Sequence, residues 1–458
     1  MDPLTSNVYH IESRPSEGGR NVLVHTTTGT DVVAKGWNVR TGVHEYGGAA
    51  AIVHGGVVYF SHYNDGRVYR VKDGGDPEAI TPGEHRYYRS SNGTKVELST
   101  LESKVHRFAG FAVLPLHTHL LVAVLEDHTI DTPSGVVNTL VVINTTTHTV
   151  KPLVVGADFY AGPQFSPDGM RLTWIQWYHP DMPWEGSEIH VADVVVDADG
   201  MVLKNAIHIA GERSKISAAS PSWASNDTLV FTSDESDYIN PWKYSNGKAT
   251  PLLPKPVSQE FGKPLWQLHM FPYAIVDAEG KFALFTSIKD GRSQLYLLDL
   301  FSPSEPRPLD TPYVVIGNLR SVSSQDNTVV FEAEKVDEEP SIVKCTITDL
   351  SGSSPPTYTV IRAGAPPPFP KGIVSVPQPM TLKASSGDPI HIVYYPPQNP
   401  DYSGSAIDGE LPPCVLNAHG GPTSLCAQGL NWKVQYFTSR GWAWQVSFSL
   451  SLYACTSL

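Results

Sequence analysis

Cysteine is scarce in this chain, basic charge is in deficit and long apolar runs are missing, and each shortage excludes something. The four thiols in 458 residues, Cys345, Cys414, Cys426 and Cys455, form no CxxC pair and are too few for a disulfide framework. They read as reduced cysteines of a cytoplasmic protein. Lys and Arg number 33 against 46 Asp and Glu, and no basic block occurs. A phosphate backbone would find nothing to hold, so nucleic acid is excluded as a main partner. No window approaches the ~18 uninterrupted apolar residues of a spanning helix. The start, Met1-Asp2-Pro3-Leu4-Thr5, lacks the basic and apolar regions of a secretory signal. A soluble chain without a membrane partner is expected.

What is there points to turns and strands. Charged residues make up 17%, against a typical ~25%, while Gly (37) and Pro (38) are plentiful. From residue 8 to about 349 short β-rich runs are broken by Gly, Asn, Asp and Pro, the mark of many hairpins. A loose unit repeats: an opening strand, a turn, a second strand, a polar connection and a third strand. Phe108-Ala109-Gly110-Phe111 leads to Leu120-Leu121-Val122-Ala123-Val124 and then Thr139-Leu140-Val141-Val142-Ile143. Pro163-Gln164-Phe165-Ser166-Pro167-Asp168-Gly169 opens another unit, and Pro221-Ser222-Trp223 and Phe271-Pro272-Tyr273 open two more. A spacing of roughly 50 to 60 residues suits a four-stranded propeller blade. A large β-sandwich would also alternate strands, but its units would not restart in the same order. An all-β propeller over residues 8–360 is therefore expected, with seven blades and an incomplete first one.

A second organisation follows the stiff Pro-rich linker at 361–371, which holds Pro366-Pro367-Pro368-Phe369-Pro370. Leu382-Lys383-Ala384 and His391-Ile392-Val393-Tyr394-Tyr395 read as a hairpin, and Cys414-Val415-Leu416-Asn417-Ala418 as a fully buried strand. Leu430, Val434 and Phe437 share a helical face, which predicts a helix from Leu425 to Arg440 closed by Gly441. Trp442 to Val446 reads as one more strand. Strand, Gly turn, helix and strand follow α/β logic, so 372–444 is expected to be the N-terminal part of an α/β-hydrolase domain. The strongest motif is His419-Gly420-Gly421-Pro422 at the end of the apolar strand. Two glycines there let backbone N–H groups approach a developing oxyanion, as the HGG turn after a third strand does in α/β-hydrolases. A tight turn with no chemistry is the plain alternative.

With these residues in view the sequence resembles the prolyl oligopeptidase family of serine peptidases, in its dipeptidyl aminopeptidase and acylaminoacyl-peptidase branch. The resemblance rests on Glu12-Ser13-Arg14-Pro15-Ser16-Glu17-Gly18-Gly19-Arg20, on Val43-His44-Glu45-Tyr46-Gly47-Gly48, on Met182-Pro183-Trp184-Glu185-Gly186-Ser187-Glu188 and on Tyr394-Tyr395-Pro396-Pro397. His419-Gly420-Gly421-Pro422-Thr423-Ser424 and Tyr436-Phe437-Thr438-Ser439-Arg440-Gly441-Trp442 complete it. It implies a propeller above a hydrolase domain, short peptide substrates, acyl transfer through Ser, His and Asp, and no cofactor. The family's nucleophile sits on a G-x-S-x-G elbow, and this sequence has none. None of the three catalytic residues is expected here, and Gln445 to Leu458 reads as an aberrant tail. The chain as given is expected to be inactive.

Related peptidases hold a substrate terminus with propeller carboxylates or arginines, which makes Glu12, Glu17 and Glu45 candidates, with His44 and Tyr46 beside the last. Turn stabilisation is the plain reading of each one singly. Ser405 lies in a polar loop and is a poor nucleophile. His117 and His119, two apart and expected on one strand face, lack a third or fourth ligand at metal spacing. The class furthest from an enzyme is a non-catalytic propeller that binds or interacts. Peptide preference and oligomeric state are not legible.

Overall fold

The computed structural model describes residues 1–447 apart from 73, 84–86, 90–94, 98–104, 198–199, 324–325, 352–353, 367–368, 384, 386, 388 and 419–424. Seven antiparallel sheets follow one another along the chain, each a meander in which neighbouring strands are consecutive. The first, at 9–31, has three strands; those at 51–79, 106–154, 159–210, 218–251, 273–309 and 315–362 have four. A small hairpin, Tyr87–Arg89 with Lys95–Glu97, stands between the second and third. Among the described residues no helix is long and apolar enough to cross a membrane.

Strands bury both faces when neighbouring sheets cover them, and then read as continuous apolar runs rather than alternating ones. Leu120–Asp127 of the third sheet is such a strand. Apolar clusters join the sheets pairwise. Phe60 and Leu23 belong to the cluster between first and second, Ile80 and Phe111 to that between second and third, and Tyr160, Trp174 and Phe231 to one spanning third to fifth. Phe261 and Phe285 link fifth to sixth, and Val276 and Phe331 link sixth to seventh. The seventh meets the first through polar contact, where Arg362 Nη2 donates to Glu12 Oε1 over 3.0 Å.

Within the third, fourth, fifth and seventh sheets the opening strand carries a β-bulge, and in each a residue in the left-handed region sits at the break. These are Gly110, Gly162, Ser220 and Asn318. Such a bulge bends a strand and sharpens its twist. The opening strands pack in succession, Phe159–Phe165 on His106–Val113 and Ala218–Trp223 on Phe159–Phe165, around a central space. This is the propeller that the repeat predicts.

The eighth sheet is mixed. Its order is Gln378–Lys383, Pro389–Tyr395, Ala443–Ser447, Cys414–Ala418; the first three are antiparallel neighbours and the last two are parallel. A parallel pair needs a crossover, supplied by the helix Trp432–Thr438, whose Val434 packs with Val393, Tyr395, Trp444 and Val446. Three expectations are corrected here. The helix starts at Trp432 and not at Leu425, because the Asn431 side chain caps it by accepting from the N–H groups of Lys433 and Val434. The residues before it are drawn onto the propeller: Gln428 donates to Asp290 O and accepts from Arg292, and Leu430 N–H donates to Lys335 O. Cys414–Ala418 is not buried but lies at a sheet edge, with Leu416 74% exposed. His117 and His119 lie in the connection between Phe108's strand and the next, not on a strand.

Candidate functional site

The turn before the second sheet aims into the central space. His44, Glu45, Gly47 and Gly48 all have positive φ (52°, 65°, 69° and 94°). Two successive non-glycine residues in that region are strained, and such strain persists only where surroundings fix it. Here Gly47 N–H donates to Val43 O at 2.9 Å, and His44 N–H donates to the carboxylate of Glu126 at 2.7 Å. Glu126, from the end of strand Leu120–Asp127, also accepts from Arg107 Nη1 at 3.0 Å and from His128 Nε2 at 2.7 Å. Arg107 reaches on to Glu45 at 2.8 Å, and His128 Nδ1 meets Asp131 at 2.9 Å.

These contacts set the charges. Burial opposes the charge on His128, but the carboxylates of Glu126 and Asp131 outweigh it and hold its pKa above the ordinary 6.5. Burial likewise works against Arg107, yet Glu45 and Glu126 raise it further. His44 is pushed down to about 4 by burial and is neutral. Glu45, Glu126 and His128 bring one ligand atom each within 4.8 Å of one another. A metal does not fit there, because the Arg107 guanidinium already lies between the two carboxylates.

This cluster lines a cavity of about 640 Å³, with Phe159, Trp177, Trp184 and Trp266 among its walls. Its rim includes the loops between second and third strands of the third and fourth sheets. The corresponding loops of the sixth and seventh sheets, at Asp290 and Lys335, hold the segment before helix Trp432–Thr438. The cavity therefore opens toward the face that carries the eighth sheet.

The long connection before the sixth sheet crosses the interior. Leu268 bridges Gly48 in parallel fashion, its N–H donating to Gly47 O at 3.0 Å, and Arg320 Nη2 donates to His269 O at 2.8 Å. Beyond this crossing lies a second cavity, also about 640 Å³, lined by Glu12, Glu260, Lys263, Glu332, Glu334 and Arg362. Gln267, Met270 and Phe271 face both.

The three candidate glutamates thus go to three places. Glu45 is in the first chamber, its side chain 78% exposed. Glu12 is in the second, engaged by His10 and Arg362. Glu17 sits in the hairpin turn Pro15–Glu17, paired with Arg20 and Arg14, and lines neither chamber. His419, Gly420, Gly421 and Pro422 lie outside the described residues, in the connection from the third strand of the eighth sheet, Cys414–Ala418, to the helix. Sequence reasoning missed Arg107, Glu126 and His128. The signal was there: Glu126 and His128 are two apart at the polar end of an apolar strand, the spacing that places side chains on one face.

No family model matches the chain, and no curated protein sequence matches it significantly. Solved structures do. A puromycin-hydrolyzing peptidase of Mycobacterium tuberculosis superposes with a TM-score of 0.81 at 29% identity, covering 97% of this chain and 64% of that one. Puromycin hydrolase gives 0.80 at 28% identity, over 97% and 65%. Prolyl oligopeptidase B from Galerina marginata, at 10% identity and 0.57 over 85% and 51%, shares the fold alone. The chain spans slightly less than two thirds of the length of the two puromycin-cleaving enzymes. The three-dimensional likeness is thus to puromycin-cleaving peptidases at 28–29% identity, and to a prolyl oligopeptidase in fold alone.

Proposed function

We propose that this chain is the seven-bladed propeller and the N-terminal part of the α/β-hydrolase domain of a serine-type peptidase that acts on short peptides. Glu45 carries the reading. It is a carboxylate held at the mouth-facing chamber by a strained turn and by Arg107, placed to receive the free ammonium end of a peptide. The eighth sheet lies over the same face, and residues 419–422 follow its third strand, where an oxyanion-binding turn belongs in this fold. Glu12, enclosed with Arg362 in the second chamber, is the weaker terminus-binding candidate, and Glu17 the weakest. Dipeptidyl and plain aminopeptidase preferences both suit a carboxylate that receives a free ammonium, and an acylaminoacyl preference, whose substrates carry a neutral amide there, suits it less. Free Cys345, Cys414 and Cys426 favour a cytoplasmic setting.

The sequence holds no G-x-S-x-G elbow, so the 458-residue chain by itself is expected to be catalytically silent. Loss of a nucleophile leaves at best ~10³ to 10⁴-fold enhancement from binding and the oxyanion hole. Incubation with a fluorophosphonate probe is expected to label no serine. Stoichiometric labelling located by peptide mapping would reveal a nucleophile that the sequence does not advertise. A non-catalytic binding propeller is the second reading, favoured by a chamber that is complete without the hydrolase chemistry.

A further inference from the structure

The second chamber plays no part in the reading of Glu45, and its walls carry more acid than base. Glu12, Glu260, Glu332 and Glu334 line it against Lys263 and Arg362, four carboxylates to two cations, which leaves an excess of two negative charges with His10 neutral. The contacts already made do not remove that excess. Glu12 and Arg362 answer each other at 3.0 Å. Among the described residues the Glu332 carboxylate accepts from Asn318 Nδ2 at 3.0 Å and from nothing else, and the Glu334 carboxylate has no hydrogen-bond donor. Burial holds Lys263 below the ordinary lysine range although Glu334 and Glu332 favour its charge, and burial lifts Glu334 although Lys263 opposes the shift. One buried ammonium does not satisfy both carboxylates.

The sixth sheet supplies an independent observation. Thr286 and Ile288, two apart on strand Phe282–Lys289, share one face and both line the chamber, while Ala283 and Phe285 on the other face pack toward the fifth sheet. Thr286 is 6% exposed, and its Oγ1 is buried without a hydrogen-bond partner. An unpaired hydroxyl in the interior is costly, and this one belongs to the same wall as the carboxylates. The rest of the lining is largely apolar, with Met270, Phe271, Ile288 and Ile342. A single ion does not suit this arrangement. Among the described residues Glu45, Glu126 and His128 are the group whose three ligand atoms converge within 4.8 Å, so the carboxylates of the second chamber are spread too widely for one metal. Ammonium groups separated by methylenes do suit it: each charge finds a carboxylate and the stem finds apolar wall.

We propose that the second chamber binds linear aliphatic polyamines, one ammonium at Glu332 and Glu334, a second at Thr286 Oγ1 and Glu260, and the methylene stem along Met270, Phe271 and Ile288. Its volume of about 640 Å³ falls inside the range of small-molecule sites. The bound chain ties the sixth and seventh sheets to the connection that carries Glu260, so occupancy stabilises the fold by mass action. None of this depends on the peptidase reading.

Isothermal titration of the purified 458-residue chain with spermidine, putrescine and n-butylamine, at fixed ionic strength and with magnesium chloride as competitor, tests the site. Spermidine and putrescine are expected to bind at least about ten-fold tighter than n-butylamine, which has the stem without the second charge, and to raise the melting temperature. Glu334→Gln and, independently, Glu332→Gln are expected to weaken putrescine at least about five-fold, and Thr286→Val to weaken it as well. Glu45→Gln, which alters the first chamber alone, is expected to leave its affinity unchanged. Glu332 is exposed, so its variant reports on binding even where Glu334→Gln perturbs the fold. Putrescine that binds no tighter than n-butylamine, displacement by equimolar magnesium, or affinity kept in both Glu332→Gln and Glu334→Gln overturns the proposal. A loss in Glu45→Gln as large as that in Glu334→Gln puts the amines in the first chamber and overturns it too. So does the absence of binding by either polyamine.

Discussion

His128 offers both ring nitrogens to carboxylates, Glu126 inside and Asp131 outside, with Arg107 and Glu45 facing the same group. An imidazole can donate from both nitrogens only when protonated, so the fold binds the cation and raises its pKa above 6.5. The stabilisation is complete below the unfolded value of about 6.5 and is lost as pH rises through the folded one. Thermal melts of the wild-type chain from pH 6 to pH 9 should therefore show a fall that Asp131→Asn flattens. Parallel curves for the two proteins would mean that Asp131 does not hold the proton on the ring. At the same scale Glu126 shows why a buried carboxylate is tolerated: its charge meets a guanidinium, an imidazolium and a backbone N–H, the condition for burying an ion at all.

The crossing segment depends on one missing atom group. Gly48 has φ of 94°, and a Cβ would meet Leu268 O at 2.6 Å and Leu268 N at 2.8 Å. Gly48→Ala should cost about 2 kcal/mol from backbone strain and displacement of that contact. Urea denaturation measures this, and Trp266 emission should shift as the segment loosens; unchanged stability and emission would show that the segment is held elsewhere. The element level is also where the sequence was most readable and where it misled. Blade openings such as Phe108-Ala109-Gly110-Phe111 were visible because each bulge requires a residue tolerant of positive φ, and Gly110 and Gly162 advertise it. Ser220 and Asn318 do the same work with less obvious residues. The helix was read too long because Leu430 shares the helical spacing of Val434 and Phe437, whereas Gln428 and Leu430 spend their hydrogen bonds on the propeller, a tertiary choice that local pattern cannot carry. Glu45 was legible from its motif. That Arg107 and Glu126 gather beside it was not, since they lie 62 and 81 positions away and only the arrangement of the sheets brings them together.

Apolar clusters tie each sheet to the next from the first to the seventh, and among the described residues none joins the seventh back to the first. The seam carries Glu12 and Arg362, a half-exposed pair of the kind worth at most about 1 kcal/mol. The eighth sheet is held by more: Arg292 to Gln428 and to Pro377 O, Gln428 to Asp290 O, Trp432 to Glu339. Limited proteolysis at the exposed residues 363–366 or 369–371 should thus yield a nicked chain whose two pieces still co-elute on size exclusion in native buffer. Separation of the pieces without denaturant would show that the linker, not the interface, keeps them together. Gln267, Met270 and Phe271 wall both chambers at once. The two spaces therefore share one partition, and a displacement of the crossing segment that widens one narrows the other.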